Sequence, residues 1–356
     1  MESKKTVILA DYISYTDKQG EPVGHPLKVL KEYAGLISDD YVVRYAAYWT
    51  YLTYLEQENH ISLSGNIAEG EDYVSIKGKL KQLLISWKNI TYIFRQGRKD
   101  FVWFCNIDLF LLIYLAFHPW KCKRVILTTY LKEFSSGYQN QLFQYAMKHV
   151  GLFLCSNKEN TYCGSNHVFI PDYLYDANIY RKYVVNDKQE KVVCLGTMGE
   201  QKELRELVGA FVKSGYPLEI IGHFSNKELF RELSELAGHN IKVRDTYLEY
   251  EEYLTILGEA KFSVLPYRRD AYEAKTSGVL LESVFLQTIP ITNQRLLQNW
   301  EVHGVGYGDV RELSTVNLYK YDTDDLNNMN EHLIAESYNK EKYRKILLSR
   351  LKEMDC

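Results

Sequence analysis

Short apolar runs alternate with longer amphipathic segments along most of the chain, and this alternation is the strongest constraint on its fold. The runs TVILADY at 6–12 and KVVCLG at 191–196 each open a series of this kind. Short apolar runs bounded by turn residues predict buried strands, while the segments between them show helical spacing. Strands that alternate with helices pair in parallel sheets covered on both faces. The sequence therefore predicts an α/β fold.

Both series give strands and helices in turn. The predicted strands are 6–12, 41–46, 101–105, 124–129 and 151–155 in the first series, and 191–196, 218–222, 241–244, 261–266 and 289–292 in the second. The predicted helices are 25–37, 77–88, 107–117 and 138–149, then 200–213, 226–237, 249–259, 277–287 and 294–300.

The length of 356 residues exceeds what one ordinary core organises, so we expect two domains. The segment 171–190 has no clear period and turns polar at its end, which marks the boundary. We predict an N-terminal domain over 1–175 and a C-terminal domain over 190–335. The remaining segment, 336–356, predicts a helix whose apolar positions need a surface to cover, and the N-terminal domain is a candidate for that surface.

Composition excludes several classes of protein. The net charge of −3 gives no overall case for nucleic-acid binding. The six cysteines form no CxxC pair and no cluster with histidines at zinc-ligand spacing, which favours reduced thiols in a cytosolic protein and no metal. In the apolar stretch 101–120, Asn106 and Asp108 leave only residues 109–117 without a polar group, too few to span a bilayer.

Glu282 lies in the apolar segment YEAKTSGVLLESVFLQTIPI, residues 272–291. A carboxylate among hydrophobic side chains is costly unless a partner accompanies it. Ser277 is placed to cap a helix after the strand at 261–266. Gly278 lies one turn before Glu282 on the same face, and helical side chains lean towards the N-terminus. We therefore expect the carboxylate to lie over Gly278, which has no side chain to block it.

Two interpretations of Glu282 remain open from the residues alone. A helix N-terminus presents unpaired N–H groups and a positive dipole end to a phosphate. A carboxylate one turn further can accept hydrogen bonds from a vicinal diol such as a ribose, so a nucleoside diphosphate carries both matching groups. Alternatively, Glu282 pairs with Arg268, Arg269 or another basic side chain and only braces the fold.

This segment resembles the C-terminal domain of GT-B glycosyltransferases of glycosyltransferase family 4, also called group 1. Residues 277–282, SGVLLE, are similar to the second half of the family's motif of two glutamates separated by seven residues. Residues 288–291, TIPI, stand where the family has G-x-P-V. In KVVCLGTMGEQKELRELVGAF, Gly196 and Lys202 match the family's glycine after a strand and the lysine that opens a helix. Residues 24–25, Gly-His, resemble its glycine-rich N-domain loop.

The sequence departs from the family pattern at two places. The first glutamate of the motif belongs at position 274, which is alanine, and Glu273 lies one residue earlier. The arginine that often follows the first glycine is Thr197. Arg268 or a neighbouring base is a candidate to supply that charge.

The resemblance implies two Rossmann-like domains with parallel sheets facing across a cleft. It implies transfer of a hexosyl group from a nucleotide-sugar donor to a glycan or lipid-linked glycan, with retention of configuration and without metal or resident cofactor. Glu273 and His25 are the implied catalytic residues. The implied donor-binding residues are Gly196, Lys202, Ser277, Gly278, Val279, Glu282 and Arg268.

The region 73–132 contains eleven Lys and Arg residues but only two acids, Asp100 and Asp108, with three tryptophans interleaved. One interpretation is a solvated helix face over buried aromatics. The other is a patch that meets anionic lipid head groups or a lipid-diphosphate acceptor. On the second interpretation we expect a cytoplasmic enzyme, attached peripherally to the inner face of the membrane, in surface polysaccharide biosynthesis.

Two further classes compete with a glycosyltransferase. A non-catalytic GT-B-like protein that binds a glycan, or partners an active transferase, is favoured by the shifted glutamate and the missing arginine. A dehydrogenase that uses NAD is disfavoured because no GxGxxG follows the first strand.

Overall fold

The computed structural model describes residues 4–18, 20, 22, 26–55, 60–68, 75–131, 133, 136–157, 160–268 and 277–355. The chain forms two compact units. One comprises Met1–Asp172 together with Lys340–Cys356, and the other comprises Tyr173–Asn339.

The first unit is built on a parallel sheet. Its strands are β1 (Thr6–Ala10), β2 (Tyr15–Thr16), β3 (Val42–Tyr48), β4 (Ile61–Leu63), β5 (Ile67–Ala68), β6 (Phe101–Phe104), β7 (Val125–Thr129), β8 (Leu152–Cys155) and β9 (His167–Phe169). Seven of them pair in the order β4-β3-β1-β6-β7-β8-β9, with every neighbour parallel. Strands β2 and β5 form a separate parallel pair.

The helices of this unit are α1 (Pro26–Ile37), α2 (Trp49–Leu52), α3 (Ile76–Gln96), α4 (Leu109–Phe117) and α5 (Gly137–His149), followed at the chain end by Lys340–Asp355. Asp108, which interrupts the apolar stretch, is the N-cap of α4, and its Oδ1 accepts a hydrogen bond from the Leu111 amide at 2.8 Å. Within the described part of the chain, no helix is both long enough and apolar enough to cross a membrane.

The second unit repeats the pattern. Its strands are β10 (Gln189–Leu195), β11 (Leu218–Gly222), β12 (Ile241–Asp245), β13 (Ala260–Leu265), β14 (Ile289–Asn293) and β15 (Val305–Tyr307). Its helices are α6 (Ala177–Tyr180), α7 (Leu204–Ser214), α8 (Lys227–Leu236), α9 (Tyr250–Glu259), α10 (Gly278–Phe285), α11 (Gln294–Trp300) and α12 (Thr323–Leu333). The sheet order is β12-β11-β10-β13-β14-β15, again parallel throughout.

The inner parts of the central strands are apolar because helices cover both faces of each sheet. Val7–Ala10 and Val192–Cys194 are fully buried. The predicted α/β class with parallel sheets is confirmed.

The strand order reverses direction beside the first strand of each sheet. Chain order runs outwards on one side of β1 or β10 and then resumes on the other side, at β6 or β13. Ligands of open parallel sheets bind at such a switch point, beyond the carboxyl ends of the strands. The switch points therefore lie after β1 and β6 in the first unit, and after β10 and β13 in the second.

The end of β11 lies directly against the turn that follows β10. A Cβ added to Gly222 would lie 1.7 Å from the carbonyl oxygen of Gly196, which is backbone and cannot swing aside. We expect Gly222→Ala to lower the free energy of unfolding by about 2–4 kcal/mol, because the strand end must shift. Denaturant titration of the purified protein measures this change.

Gly209→Ala is the matched control. Gly209 lies on the exposed side of α7, and no atom lies within 4 Å of its added Cβ. Its substitution should raise the free energy of unfolding by about 0.5–1 kcal/mol through helix propensity. Equal effects of the two substitutions would contradict the close approach at Gly222.

Candidate functional site

Gly196 directly follows β10 at the switch point of the second unit. Its φ of +96° lies in the left-handed region that favours glycine. The chain turns there from the strand into the loop 197–203, which continues into α7. After this turn the loop passes next to the end of β11. The Met198 amide donates a hydrogen bond to the His223 carbonyl there, at 2.9 Å.

Lys202 turns its ammonium back under this loop. The residue is only 8% exposed, and Nζ donates to the Leu195 carbonyl at 2.9 Å and to the Met198 Sδ at 3.7 Å. Nζ also lies 5.9 Å from the centroid of the Tyr267 ring. Burial lowers the pKa of Lys202 from its ordinary 10.5. Among the described residues no carboxylate pairs with this ammonium, so a buried positive charge is left for an anion to neutralise.

The helix predicted over 200–213 begins further along the chain, and Lys202 does not open it. Helix α7 begins at Leu204, with Glu203 as its N-cap, so Lys202 lies in the preceding loop. A β-bridge between Lys202 and Tyr267, together with the Arg268 amide donating to the Gln201 carbonyl at 2.9 Å, ties this loop to the end of β13. These contacts fix the lysine stem.

Ser277 caps α10, as the sequence predicts. Its Oγ accepts a hydrogen bond from the Leu280 amide at 3.3 Å and makes a second hydrogen bond, 3.1 Å long, with the Tyr267 hydroxyl. A Cβ built on Gly196 would lie 3.9 Å from Val279 Cγ2 and 4.0 Å from Lys202 Nζ. The turn after β10, the buried ammonium and the electropositive end of α10 therefore meet at one place.

Glu282 is 4% exposed, and two tyrosines of α9 hold its carboxylate. The Tyr250 hydroxyl donates to Oε1 at 3.0 Å and the Tyr253 hydroxyl donates to Oε2 at 2.8 Å. Burial, followed by the negative charge of Glu282, raises the pKa of Tyr253 well above its usual range. Both tyrosines therefore act as neutral donors that orient the carboxylate.

The alternative ion pair between Glu282 and Arg268 does not form. Arg268 is exposed, and among the described contacts its side chain makes none with Glu282. Arg269, the other named candidate, lies outside the described residues, as do Lys275, Glu273 and His25.

The hydroxyl group of Tyr173 occupies the place where a side chain of residue 278 would begin. A Cβ added to Gly278 would lie 2.4 Å from the hydroxyl oxygen of Tyr173. The missing side chain thus admits the edge of an aromatic ring from the segment that begins the second unit. Glycine is required at this position because a larger residue would clash with Tyr173.

An open cleft of about 660 Å³ continues from Lys202 along the carboxyl ends of β10 and β11. Arg268, Glu200 and Asn226 are among its lining residues. Glu203 also lines it, and burial raises the pKa of that carboxyl. The cleft is polar and of mixed charge, with the basic groups of Lys202 and Arg268 on the side towards β13.

Asp11 is a candidate that sequence reasoning missed. It follows β1 at the switch point of the first unit and is fully buried. Its Oδ1 accepts a hydrogen bond from Asn106 Nδ2 at 3.0 Å, while its Oδ2 has no hydrogen-bond partner in the described part of the chain. Burial raises its pKa to about 6. The signal was an acid directly after the apolar run TVILA, where a parallel strand ends.

The tyrosines around Glu282 were also missed. The sequence contains 30 tyrosines, and this number alone does not single out any one of them. Tyr250 and Tyr253 lie three apart on α9, which places them on one helix face. In the described part of the chain, no group of three or more His, Cys, Asp or Glu side chains could hold a metal ion.

Comparison with known proteins gives structural neighbours only. No family model matches the chain, and no curated protein matches it by sequence. Among solved structures it is similar to Anabaena HepE in complex with UDP and glucose, with a TM-score of 0.63, 13% identity, and 98% of this chain and 100% of that chain covered.

Two other neighbours agree. AviGT4, a glycosyltransferase involved in avilamycin A biosynthesis, matches with a TM-score of 0.56 and 14% identity over 98% of each chain. The α,α-trehalose 6-phosphate synthase of Burkholderia multivorans matches with a TM-score of 0.64 and 9% identity over 99% of each chain. The chain therefore has the GT-B fold of two Rossmann-like domains that these proteins share.

Proposed function

We propose that this protein is a glycosyltransferase that moves a hexosyl group from a nucleotide-sugar donor to a glycan or lipid-linked glycan. The observation that supports it most is the buried ammonium of Lys202, which has no carboxylate partner among the described residues and lies beside the N-terminus of α10. A diphosphate supplies the missing negative charge, and the free amides of the helix start donate to its oxygens.

Glu282 suits the pentose of the same donor. It lies one helical turn beyond Gly278, and each of its carboxylate oxygens already accepts one tyrosine hydrogen bond. A carboxylate offers about four acceptor positions in all, and the ribose diol of the donor is the proposed additional donor to Glu282. The tyrosines then hold the carboxylate in a fixed direction before the donor arrives, which reduces the entropy lost on binding.

Breaking the anomeric C–O bond leaves negative charge on the departing diphosphate. Lys202 and the amides at 277–279 are fixed donors at the place where that charge develops, which is the arrangement that lowers a barrier most. We infer that no metal is needed, because these groups can balance the charge of the leaving group, and we propose retention of configuration because the resemblance to family 4 implies it. Glu273 and His25 are the proposed catalytic residues on the donor sugar, and Arg268 is the proposed additional cation at the diphosphate.

The donor to test first is a UDP-sugar, since HepE, a neighbour in fold, is described in complex with UDP and glucose. The proposed setting is cytoplasmic synthesis of a surface polysaccharide. A non-catalytic GT-B-like protein would bind the donor without turnover. Measurement of donor binding and of donor turnover therefore separates an active glycosyltransferase from a non-catalytic protein.

Glu282→Ala should abolish nearly all turnover of the accepted donor, because the ribose loses its anchor. Purified protein is incubated with UDP-, GDP- and TDP-linked sugars, and release of the nucleoside diphosphate is measured. Glu282→Gln keeps the side-chain volume and should weaken donor binding about 10- to 100-fold, the value of a hydrogen bond to a charged group. Glu235→Ala, on the exposed face of α8, is the control and should leave turnover unchanged.

The proposal fails if Glu282→Gln stays folded and turns over as fast as the wild type. Donor binding without release of nucleoside diphosphate in the wild type would instead support the non-catalytic class. Thermal unfolding of each variant distinguishes loss of function from loss of fold.

Lys202→Met should move stability and binding in opposite directions. Without donor, removal of a buried ammonium that no described carboxylate pairs with should keep or raise the free energy of unfolding, by up to about 1–4 kcal/mol. Affinity for UDP should fall at least about tenfold. Because the pKa of Lys202 is lowered in the folded state, the wild type regains stability as pH rises towards 10.5, and the difference from Lys202→Met shrinks there. A large loss of stability at neutral pH would show that the lysine is structural.

Turnover in excess EDTA tests metal independence, and NMR of the first product tests configuration. We expect unchanged turnover and a product with the anomeric configuration of the donor. Loss of turnover that returns on addition of a divalent cation, or an inverted product, would overturn these two parts of the proposal while leaving the donor site intact.

A further inference from the structure

Helix α3 carries an apolar stripe that is largely exposed, and of its residues Trp87 also packs edge-on against Tyr114, with ring centroids 4.8 Å apart. Ile76, Leu80, Leu84 and Trp87 are 88%, 54%, 62% and 36% exposed. Their spacing of four, four and three residues places them on one side of the helix. Single exposed hydrophobic residues are ordinary, but a continuous stripe on a helix marks an interaction surface.

This stripe is additional to the face by which α3 packs on its own unit. The buried face consists of Gly78, Ser86, Asn89, Ile90 and Ile93, and Asn89 Nδ2 donates to the Tyr12 and Gly65 carbonyls at 2.9 and 3.0 Å. The helix is therefore already anchored. The apolar residues on the opposite side of α3 are therefore exposed although the helix itself is firmly packed.

A basic stripe runs beside the apolar one. Lys77, Lys88 and Arg95 are exposed and recur at intervals of eleven and seven residues, which keeps them in line along the helix. Residues 75–99 contain seven Lys and Arg residues and no acid. The outward half of α3 is thus split lengthwise into an apolar and a cationic band.

The same surface continues beyond the helix. Trp87 lies 6.0 Å from the His118 ring, and His118 lies 5.2 Å from the Trp120 ring, measured between centroids. Phe117 and Trp120 are 68% and 72% exposed. The 3₁₀ segment Pro119–Arg124 then adds the exposed bases Lys123 and Arg124.

We propose that this surface, the α3 face with residues 117–124, docks the protein on an anionic lipid bilayer. A helix with an apolar band, a band of lysines and interfacial tryptophan lies in the plane of a membrane surface, with its apolar side among the acyl chains. The absence of acids from 75–99 and 109–124 favours a uniformly negative partner such as phosphatidylglycerol head groups. This proposal does not depend on the proposed glycosyl transfer.

Vesicle sedimentation of the purified full-length chain tests it. Vesicles of phosphatidylcholine alone are compared with vesicles of equal parts phosphatidylcholine and phosphatidylglycerol, each at low and high salt. We expect strong binding to the mixed vesicles at low salt, weakened as salt screens the lysines. Brominated lipid should quench Trp87 and Trp120, and Trp87→Phe with Trp120→Phe should remove that quenching while exposed Trp49 remains.

Two variants separate the bands. Leu80→Gln with Leu84→Gln should reduce binding at every salt concentration. Lys77→Gln with Lys88→Gln and Arg95→Gln should reduce it about a hundredfold at low salt, and much less at high salt. Leu236→Gln with Lys242→Gln changes an exposed leucine and an exposed lysine of the second unit and is the matched control, which should bind as the wild type does.

Failure of the wild type to sediment with the mixed vesicles would overturn the proposal. So would undiminished binding of both band variants. An oligomer in analytical ultracentrifugation that Leu80→Gln with Leu84→Gln dissolves, without vesicle binding, would identify the surface as a contact between protein chains. Loss of donor turnover with intact vesicle binding would refute the proposed function alone.

Discussion

The buried ammonium of Lys202 is the physical constraint around which the candidate site of the second unit is arranged. It is buried, its described partners are a carbonyl oxygen and a thioether, and its pKa is lowered by burial. A charge in such surroundings carries a desolvation cost that a carbonyl dipole offsets only in part. The loop 197–203 keeps the charge in place because it is tied to β11 at Met198 and to β13 at Tyr267 and Arg268. These backbone contacts offset the desolvation cost of the ammonium, as is usual where a fold holds a site in place before its ligand binds.

Helix α10 is supported at both ends in a way that suits an anion at its start. Ser277 caps the first turn, and at the other end the ammonium of Lys188 donates to the carbonyls of Leu286 and Gly258, 2.9 and 2.5 Å away. A cation at a helix C-terminus complements the macrodipole. Burial lowers the pKa of Lys188 to about 8, so the charge is present at neutral pH. Lys188 also joins α10 to the end of α9, the helix whose tyrosines orient Glu282.

The sequence was sufficient for most of the sheet-forming elements and for the start of α10. Long apolar runs such as the one ending at Leu195 predict buried strands because parallel sheets need them, and Ser277 was identified from its position before a glycine and an apolar run. The three-residue strands β4, β9 and β15 were missed, since they are too short to show a period. Helix α12 was missed because its sequence, TDDLNNMNEHL, is almost wholly polar and buries only Asn330. Pairing of Glu282 with tyrosines 29 and 32 residues earlier depends on the packing of α9 against α10, which local spacing does not encode.

The two switch points differ in chemistry although their topology is the same. In the second unit the first strand leads to a buried cation, and in the first unit it leads to Asp11, a buried acid whose Oδ2 lacks a hydrogen bond. A cation with a helix start attracts phosphate, whereas a carboxyl of pKa about 6 accepts hydrogen bonds from hydroxyl groups when ionised and donates one when protonated. The two switch points therefore differ in the chemical group that each suits, although both lie at the same place in their sheets.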